Sequence, residues 1–458
     1  MTEFYHKRML VCGLARSGQS AARLLLGAGA VVTVADRSDT PQNRAAAESL
    51  TAEGAKVLLG GNPDAVVGEF EYIVISPGIP IDTPFILKAR ALGVTVIGEM
   101  ELGYRACRAK IAAVTGTNGK TTAVTILGDI FRRQWPGSMA LGNIGEAFCQ
   151  EVTKIPADAW VALEVSSFQL ESVRLFRPQI SAVLNISEDH LDRHYTMANY
   201  IAMKERIFAN QRPEDTVVLN YDDPVCRDMA KRAPSQAAYF SAGGEPGEKN
   251  AATARCVFQS GGEVIYRYAA YYERLWSVND MRTPFYHIVE DAMAAALIAI
   301  CAGASFGAVA DGVLGFSGVE HRAEFVGVVG GVAYYNDSKA TNVDAALKAL
   351  TAVDGRVILI GGGQDKKANF APWVNTFYRK VKRLIVYGET AEQIIQACDR
   401  AHFAEYERAG DLREAVAAAK GIAVPGDKVL FSPACASLDM FKNYEERGRL
   451  FKEYVGGM

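Results

Sequence analysis

The sequence predicts an α/β protein built from three domains. Its 458 residues exceed what one hydrophobic core usually serves, and a chain of this length is expected to form about three domains. Short apolar strands alternate with segments suited to helices along most of the chain, which is the order typical of parallel sheets. Glycine-rich turns follow several of these strands. We expect the domains to span residues 1–100, 101–317 and 318–458.

Composition indicates a globular protein without a nucleic-acid or membrane partner. The chain is 49% hydrophobic and 22% charged, its formal charge is −3, and its sequence contains no basic block. The eight cysteines are scattered without a CxxC pair, which predicts reduced thiols in a cytosol rather than a zinc site. The first residues lack the apolar core of a signal peptide, so we expect a cytoplasmic protein.

One apolar segment, Ala292–Ala310, approaches the length of a membrane span and contains no charged residue. It is rich in alanine and is interrupted by Gly303, Ser305 and Gly307. A buried helix followed by a turn is therefore the better prediction.

The first domain is predicted to be a small parallel α/β unit of the Rossmann type. A strand leads into the turn GLARSG, and a helix and a second strand ending at Asp36 follow. Gly13, Ala15 and Gly18 occupy the positions of a dinucleotide fingerprint, with Ala in place of the middle Gly. A later strand ends in the turn Ser76–Gly78. A nicotinamide dinucleotide and a related nucleotide ligand fit this pattern equally well.

The central domain opens with IAAVTGTNGKTT, Ile111–Thr122, around which the rest of the chain is organised. It predicts a strand, a glycine-rich turn and the start of a helix, an arrangement whose backbone N–H groups stabilise nucleotide phosphates. Lys120 would place a charge on the β- and γ-phosphates, and Thr121 would offer a hydroxyl to Mg²⁺. Val114 replaces the first glycine of the full phosphate-loop pattern. The alternative is an ordinary helix start at a Gly-Lys pair.

A later strand carries Glu164 near its end, with Ser166 just beyond it. Ligands of open α/β sheets lie outside the carboxyl ends of the strands, where a carboxylate is well placed to hold Mg²⁺. We therefore predict that Glu164 lies at the nucleotide site. An acidic residue at a solvated strand end is the alternative.

Two histidines and a lysine follow the next strand. His190 is predicted to lie in the active site because it comes soon after a strand end, whereas His194 is expected on the surface. Their i, i+4 spacing suits paired metal ligands, but without an HExxH motif a zinc hydrolase is a poor fit. Lys204 lies among apolar residues of a helical segment, and partial burial would lower the pKa of its amine and make it reactive, for instance towards CO₂.

The segment from Ser241 to Thr283 is expected to be irregular. Within it, CVFQSGGEVIYRY (residues 256–268) favours a hairpin. The stretch YYERLWSVNDMRTPFY (residues 271–286) is expected to be a loop.

The third domain is predicted to be a second Rossmann-like α/β unit. Two strands form a hairpin around Gly330 and Gly331, and the second ends at Asn336 and Asp337. Strands then alternate with helices. The last strand leads into a small-residue turn, Ser432–Ser437, which is expected to open a helix and to hold a carboxylate with its N–H groups.

Taken together, these motifs resemble the Mur ligase family, and most closely its D-glutamate-adding branch. The resemblance covers nearly the whole chain and includes Lys204 and the segments GLARSG, SPGI, VTGTNGKTT, GNIG, LEVSSFQL, NISEDHLDRH, GVEHRAEF, NDSKATN, GGGQDK and SPACASLDMFKNYEERG. It implies three domains, with ATP bound by the central one. It also implies ligation of D-glutamate to UDP-N-acetylmuramoyl-L-alanine through an acyl phosphate, with Mg²⁺ and a carbamylated Lys204, by a cytoplasmic monomer that serves peptidoglycan synthesis.

The resemblance implies roles for individual residues. Those expected to hold the UDP substrate are Gly13, Ala15, Arg16, Ser17, Asp36, Arg37, Ser76, Pro77, Gly78, Asn143 and Ser166. Those expected to bind ATP are Gly116, Thr117, Asn118, Gly119, Lys120, Thr121, Thr122, Asp291, Arg322 and Asp337. Those expected to hold the amino acid are Thr341, Lys366, Ser437 and Tyr444. Metal ions would be held by Thr121, Glu164, His190 and the carbamate of Lys204, and catalysis would depend on Lys120, Glu164, His190, Lys204, Asn336 and Lys339.

One departure from the family pattern precedes the alanine-rich helix. Family members usually carry HNxxN, where an Asn helps to hold the adenine, and this chain has HIVED, with Ile288 and Asp291 in those places. Three alternatives remain open. They are another Mur-type or folylpolyglutamate-type ligase, a nucleotide-binding regulatory relative that has lost catalysis, and an oxidoreductase suggested by GLARSG alone.

Overall fold

The computed structural model describes residues 1–61, 63–143, 146–247, 254–282, 286–353, 355–365 and 368–457, with only the backbone at 286, 287 and 352. The chain forms two compact units. Met1–Met281 and Glu290–Gly315 make up the first unit, and Arg282–Val289 and Phe316–Met458 make up the second. Both units are layered from strands and helices, which confirms the predicted α/β class.

The first unit begins with a parallel sheet. In the described part of the N-terminal region its five strands are β1 (Arg8–Cys12), β2 (Val31–Asp36), β3 (Lys56–Leu59), β4 (Tyr72–Ile75) and β5 (Thr95–Gly98). The helices of this region are Arg16–Gly27, Pro41–Ala52, Pro84–Ala91 and Glu99–Ala106, with 3-10 turns at Thr2–Phe4, Pro63–Ala65 and Val67–Glu69. The strand order is β3-β2-β1-β4-β5, so the turns that follow β1, β2 and β4 lie at one sheet edge.

A larger mixed sheet forms the rest of the first unit. Its nine strands, counted over the described residues, are β6 (Lys110–Thr115), β7 (Met139–Gly142), β8 (Trp160–Glu164), β9 (Ile180–Val183), β10 (Thr216–Asn220), β11 (Gln236–Ser241), β12 (Cys256–Ser260), β13 (Glu263–Tyr268) and β14 (Tyr271–Ser277). Their order is β14-β13-β12-β11-β10-β9-β6-β8-β7, and only the β12–β13 and β13–β14 pairs of this described sheet are antiparallel. β6 therefore lies between β9 and β8, the strands that lead to His190 and Glu164.

Helices cover the faces of this sheet. The α-helices are Lys120–Gln134, Phe148–Glu151, Ser167–Leu170, Leu191–His194, Met197–Glu205, Pro224–Met229, Tyr286–Ala302 and Phe306–Gly315, and 3-10 turns lie at Val152–Lys154 and Val278–Asp280. Leu163, Val183 and Val217 are fully buried in one core beneath them. This burial explains the continuous apolar runs of the parallel strands.

Three predictions about residues 241–310 have different outcomes. The hairpin of β12 and β13 is confirmed. The prediction of a loop from Tyr271 is wrong over Tyr271–Ser277, because these residues pair with β13 as an edge strand whose outer side chains face solvent and so disguise it. The alanine-rich segment is a buried helix followed by a turn, as predicted. Among the described residues, the helices are too short or too polar to cross a membrane.

The second unit is built on a third sheet. Its six described strands are β15 (Glu324–Val329), β16 (Val332–Asn336), β17 (Val357–Gly362), β18 (Val381–Tyr387), β19 (Tyr406–Arg408) and β20 (Lys428–Phe431), in the order β15-β16-β20-β17-β18-β19. Its helices are Val343–Ala352, Ala371–Val374, Phe377–Lys380, Ala391–Arg400, Leu412–Ile422 and Tyr444–Gly456. The antiparallel β15–β16 pair confirms the hairpin predicted around Gly330 and Gly331. Leu359 and Ile360 are buried in cores on opposite faces of the sheet.

Candidate active site

The stretch after β6 folds as a phosphate-binding loop. It runs into the helix Lys120–Gln134, as predicted, and Gly116 and Gly119 have positive φ angles of 150° and 89°. The Lys120 ammonium donates to the carbonyl oxygens of Gly116 and Thr117 at 2.9 and 2.8 Å, which folds its side chain over the loop. The helix N-terminus and the lysine thus provide the positive potential that a phosphate requires.

Asn185, which follows β9, holds the loop in shape. Its carbonyl oxygen accepts the Thr117 N–H at 3.0 Å. Its side-chain oxygen accepts the Asn118 N–H at 2.9 Å, and its side-chain amide donates to the Asn118 carbonyl at 3.1 Å. The phosphate loop is therefore fixed by the strand next to β6.

Asp291 lies against the same loop. Its side chain is 4% exposed, and a Cβ added to Gly119 would lie 2.0 Å from Asp291 Oδ1. Position 119 therefore requires glycine for its positive φ and for the carboxylate that fills this space. A carboxylate, rather than the amide usual in the family, borders the loop.

Thr121 and Glu164 form the part of the site suited to a metal ion. The Thr121 hydroxyl donates to Glu164 Oε2 at 2.8 Å, and the Asn143 side-chain amide donates to Glu164 Oε1 at 2.9 Å. Glu164 is 2% exposed, so the alternative of a solvated strand end is wrong. Among the described residues, no three His, Cys, Asp or Glu side chains cluster as in a preformed metal centre. A hydroxyl beside one carboxylate still fits Mg²⁺, which keeps several waters and needs one or two carboxylates.

Lys204 lies underneath the phosphate loop. Its amine donates to the Gly116 carbonyl at 2.8 Å and lies 4.6 Å from the centre of the Tyr200 ring. The side chain is 2% exposed. Burial first, and then repulsion from Lys120, lower the pKa of the Lys204 amine well below its ordinary value. The desolvation predicted from its apolar neighbours is present.

His190 and His194 lie at the two ends of one short helical turn. His190 has a left-handed backbone (φ 53°), and its ring packs edge-on against Phe168 at 4.8 Å. The prediction that His194 is on the surface is wrong, because it is 3% exposed and its Nε2 lies 3.0 Å from the Ser167 hydroxyl. Burial lowers the pKa of His194. Its i, i+4 spacing from His190 therefore reflects packing against the helix Ser167–Leu170.

The fingerprint turn and the Ser76 turn meet in the N-terminal sheet. Gly13 has φ 99°, and a Cβ there would lie 2.4 Å from the Ser76 hydroxyl. Asp36 accepts the Leu14 N–H at 2.8 Å with one carboxylate oxygen and the Ser38 N–H at 2.8 Å with the other. Asp36 therefore shapes the turn that follows β1 and the chain that follows β2.

In the second unit, Asn336 ends β16 and Asp337 follows it, and both side chains are buried. The Asn336 amide lies 2.9 Å from His321 Nδ1 and donates to Glu324 at 3.0 Å. Asp337 accepts the Ser432 hydroxyl at 2.6 Å, and burial raises its pKa to about 6. These contacts join the strand ends of β16 and β20.

Lys339 and Tyr444 approach each other in the second unit. The Lys339 ammonium lies 5.3 Å from the centre of the Tyr444 ring, a cation–π distance. The Thr341 N–H donates to the Lys339 carbonyl at 2.8 Å, and Asn342 caps the following helix. Two of the residues predicted to hold the amino acid thus lie next to a predicted catalytic lysine.

Comparisons with known proteins agree over the whole chain. The Mur ligase MurD-like N-terminal domain matches residues 7–98, the Mur ligase middle domain matches residues 114–299, and the Mur ligase glutamate ligase domain matches residues 321–435. The UDP-N-acetylmuramoylalanine–D-glutamate ligase of Pelotomaculum thermopropionicum is 42% identical over 99% of this chain and 98% of its own. The ligase of the same name from Alkaliphilus oremlandii is 38% identical over 99% of this chain and 98% of its own.

The chain belongs to the Mur ligase family. It is accordingly an ATP-dependent ligase that forms an amide bond.

Solved Mur ligases share the fold of this one. A pseudomurein peptide ligase type C from Methanothermus fervidus matches it with a TM-score of 0.61 and 18% identity over 98% of this chain and 99% of the other. The UDP-N-acetylmuramate-alanine ligase of Thermotoga maritima matches with a TM-score of 0.60 and 16% identity over 99% and 100%. The three-domain α/β fold predicted for this Mur ligase is confirmed.

Sequence reasoning missed one residue that organises the second unit of the Mur ligase. Arg447 is fully buried, and its guanidinium donates to the carbonyls of Ser338, Cys435 and Ala436 at 2.7 to 3.0 Å. It also donates to the Ser338 hydroxyl at 3.0 Å. A signal was available, because position 447 falls on the buried face of the helix Tyr444–Gly456, where an arginine requires partners.

The structure contradicts one prediction about the second unit and does not describe the residue of another. The turn Ser432–Ser437 is buried and does not open a helix, because the next helix begins at Tyr444 with Asn443 as its N-cap. The prediction that this turn opens a helix and binds a carboxylate there is therefore wrong about the helix start. Lys366, predicted to hold the amino acid, lies outside the described residues.

Proposed function

We propose that this Mur ligase joins D-glutamate to UDP-N-acetylmuramoyl-L-alanine, with conversion of ATP to ADP and phosphate, in the cytoplasmic synthesis of peptidoglycan precursors. The observation that carries the proposal is identity of 38–42% over essentially full length with ligases named for this reaction. The motifs behind the resemblance occur from GLARSG near the start to KNYEERG near the end. We propose a monomer that acts without nucleic acid or membrane.

The three predicted domains divide the substrates among them in this proposal. Residues 1–100 hold the UDP part through the GLARSG and SPGI turns. Residues 101–317 hold ATP, and residues 318–458 recognise D-glutamate through Thr341, Lys366, Ser437 and Tyr444. The meeting of the Gly13 and Ser76 turns supports a single ligand site in the first domain.

The reaction proceeds in two steps. The carboxylate of UDP-N-acetylmuramoyl-L-alanine attacks the γ-phosphorus of ATP, and the bond to ADP breaks, which leaves an acyl phosphate. The amine of D-glutamate then attacks the acyl carbon, loses a proton and expels phosphate. The first step brings anions together, so its barrier falls when fixed cations neutralise and orient them. In this proposal Lys120, Lys339 and Arg322 are the side chains that neutralise and orient these anions.

The Mur ligases use ATP with Mg²⁺. In this chain Thr121 and Glu164 would hold the ion, with His190 assigned to a second position. Bound there, Mg²⁺ supplies positive charge to the phosphate oxygens. Asn143 keeps the Glu164 carboxylate in place through its 2.9 Å hydrogen bond.

We propose that Lys204 acts as a carbamate. Its lowered pKa favours the neutral amine, which can add to CO₂ with loss of one proton and so become an anion. The position of Lys204 supports the carbamate, because its amine donates a hydrogen bond to the Gly116 carbonyl and so lies next to the phosphate loop. A carbamate at that place would offer oxygen ligands to a metal ion.

An amino-acid screen tests the function. ADP release in the presence of UDP-N-acetylmuramoyl-L-alanine should be stimulated by D-glutamate and not by L-lysine or diaminopimelate. Lys120→Ala should abolish release, and Lys110→Ala, which changes a lysine on the exposed start of β6, should not. Stimulation by another amino acid would favour a different ligase of the family. ATP binding without ADP release or product would favour a regulatory relative that has lost catalysis, and a change in nicotinamide fluorescence on mixing would favour an oxidoreductase.

A further inference from the structure

Arg193 connects the central sheet of the first unit to the N-terminal SPGI turn. Its Nη2 lies 3.4 Å from the Pro77 carbonyl oxygen and 3.1 Å from that of Ile79, and its Nη1 lies 3.4 Å from that of Gly78. Three successive carbonyl groups of the turn after β4 therefore accept from one guanidinium. Arg193 itself belongs to the helix Leu191–His194, which follows β9 and His190.

The central part of the unit holds the same guanidinium firmly. Arg193 Nε and Nη2 donate to the two oxygens of Glu171 at 3.0 and 2.6 Å, and the two side chains are 13% and 5% exposed. The guanidinium also lies 4.9 Å from the centre of the Phe168 ring, and that ring is in edge contact with His190. A planar, bidentate and largely buried pair of this kind has little freedom to move.

The backbone around Arg193 is held in an uncommon conformation. His190 and Tyr195, on either side of the helix, have φ angles of 53° and 67°. Non-glycine residues rarely adopt such angles unless the surrounding contacts impose them. The Tyr195 hydroxyl adds a second connection to the N-terminal sheet, a 2.8 Å hydrogen bond to Asp82.

We propose that Arg193 is a positioning residue for the ligase reaction, which sets the SPGI turn at a fixed place relative to His190 and the phosphate loop. The inference rests on the proposed function, in which the turn holds the UDP end of a substrate whose other end must reach the γ-phosphate. A misplacement of about 1 Å between reacting groups slows a reaction by about 100-fold. Arg193 acts through the turn and need not touch the substrate.

The test separates binding from turnover. Arg193→Ala should lower kcat with saturating substrates by about 100-fold. Its Kd for UDP-N-acetylmuramoyl-L-alanine without ATP, measured by calorimetry, and its KM for ATP should stay within about threefold of the wild type, because the two turns and the phosphate loop each keep their own contacts. Arg193→Lys keeps the charge but loses the planar guanidinium, and its kcat should lie between those of Arg193→Ala and the wild type.

Arg177→Ala is the matched control. Arg177 also forms a partly buried ion pair in the first unit, with Asp215 at 2.7 Å, and it is not among the groups that bind the SPGI turn in the described structure. Its kcat should be unchanged. The proposal is overturned if kcat of Arg193→Ala stays within about threefold of the wild type, if Kd rises in parallel with the loss of kcat, or if Arg177→Ala loses kcat equally. Wild-type enzyme that releases no ADP with D-glutamate would instead refute the proposed function.

Discussion

The Thr121 hydroxyl donates a 2.8 Å hydrogen bond to the Glu164 carboxylate across two strands of the central sheet. The bond forms because β6, which runs into the phosphate loop, pairs in parallel with β8, which ends at Glu164. Residues 43 apart in sequence are thereby buried side by side at one sheet edge. A neutral and an anionic oxygen together match the ligands that Mg²⁺ prefers.

Removing this hydroxyl should impair the metal-dependent step. Thr121→Ala is expected to raise the Mg²⁺ concentration needed for half-maximal ADP release by roughly 10- to 100-fold, a range typical of groups that support a metal site. Thr125→Ala is the control, because the Thr125 hydroxyl bonds the Thr121 carbonyl within the helix at 2.7 Å. Equal Mg²⁺ dependence in the two variants would contradict the metal assignment.

Lys204 should carry CO₂ in the working enzyme. Protein equilibrated with ¹³C-bicarbonate is expected to show a carbamate signal by NMR that is missing from Lys204→Met. The variant should also lose at least about 100-fold in kcat, the scale of one electrostatic group lost from an active site. Lys110→Met controls for loss of an exposed lysine. A wild-type spectrum without the signal, in enzyme that is fully active, would count against the carbamate.

Arg447 should stabilise the second unit. Arg447→Met leaves the carbonyls of Ser338 and Cys435 without the guanidinium donor, whereas the Ala436 carbonyl keeps the Gln364 N–H at 2.9 Å. The unfolding free energy of this unit is expected to fall by about 3 kcal/mol. Hydrogen exchange of β16 and β20 would measure the loss. Arg449→Met, two residues further along the same helix and exposed, should change this free energy by less than about 0.5 kcal/mol. Similar values for both variants would show that the buried hydrogen bonds contribute little.

Asp337 should make stability depend on pH. Burial raises its folded-state pKa from 3.8 to about 6, so the folded protein binds the proton more tightly than the unfolded chain. The stabilisation is complete below pH 3.8 and is lost as pH rises through about 6. Between pH 5 and pH 8, the wild type should therefore lose about 1.4 kcal/mol relative to Asp337→Asn. Urea unfolding of both proteins at the two pH values would measure this, and a difference independent of pH would refute it.

The local pattern of residues was sufficient to predict much of this protein. Alternation of apolar strands with helices predicted the parallel sheets, and Gly116, Gly119 and Lys120 predicted the phosphate loop between β6 and the helix Lys120–Gln134. These features depend on backbone conformation and on neighbours within one turn or strand, which short sequence segments encode. The edge strand Tyr271–Ser277 was not predicted, because its sequence YYERLWS does not alternate apolar and polar residues.

Contacts between distant segments were decided only by the tertiary structure. The strand order places Glu164 against Thr121 and Lys204 beneath Gly116. Packing buries Arg447 and also His194, for which the sequence predicts a surface position. The identity of a charged or polar residue does not predict whether it is buried, because burial depends on which helix the folded chain packs against it. The sequence alone thus determined the helices and strands and the chemical groups of the site. The tertiary structure determined which of these groups are buried together, and hence their pKa values and hydrogen-bond partners.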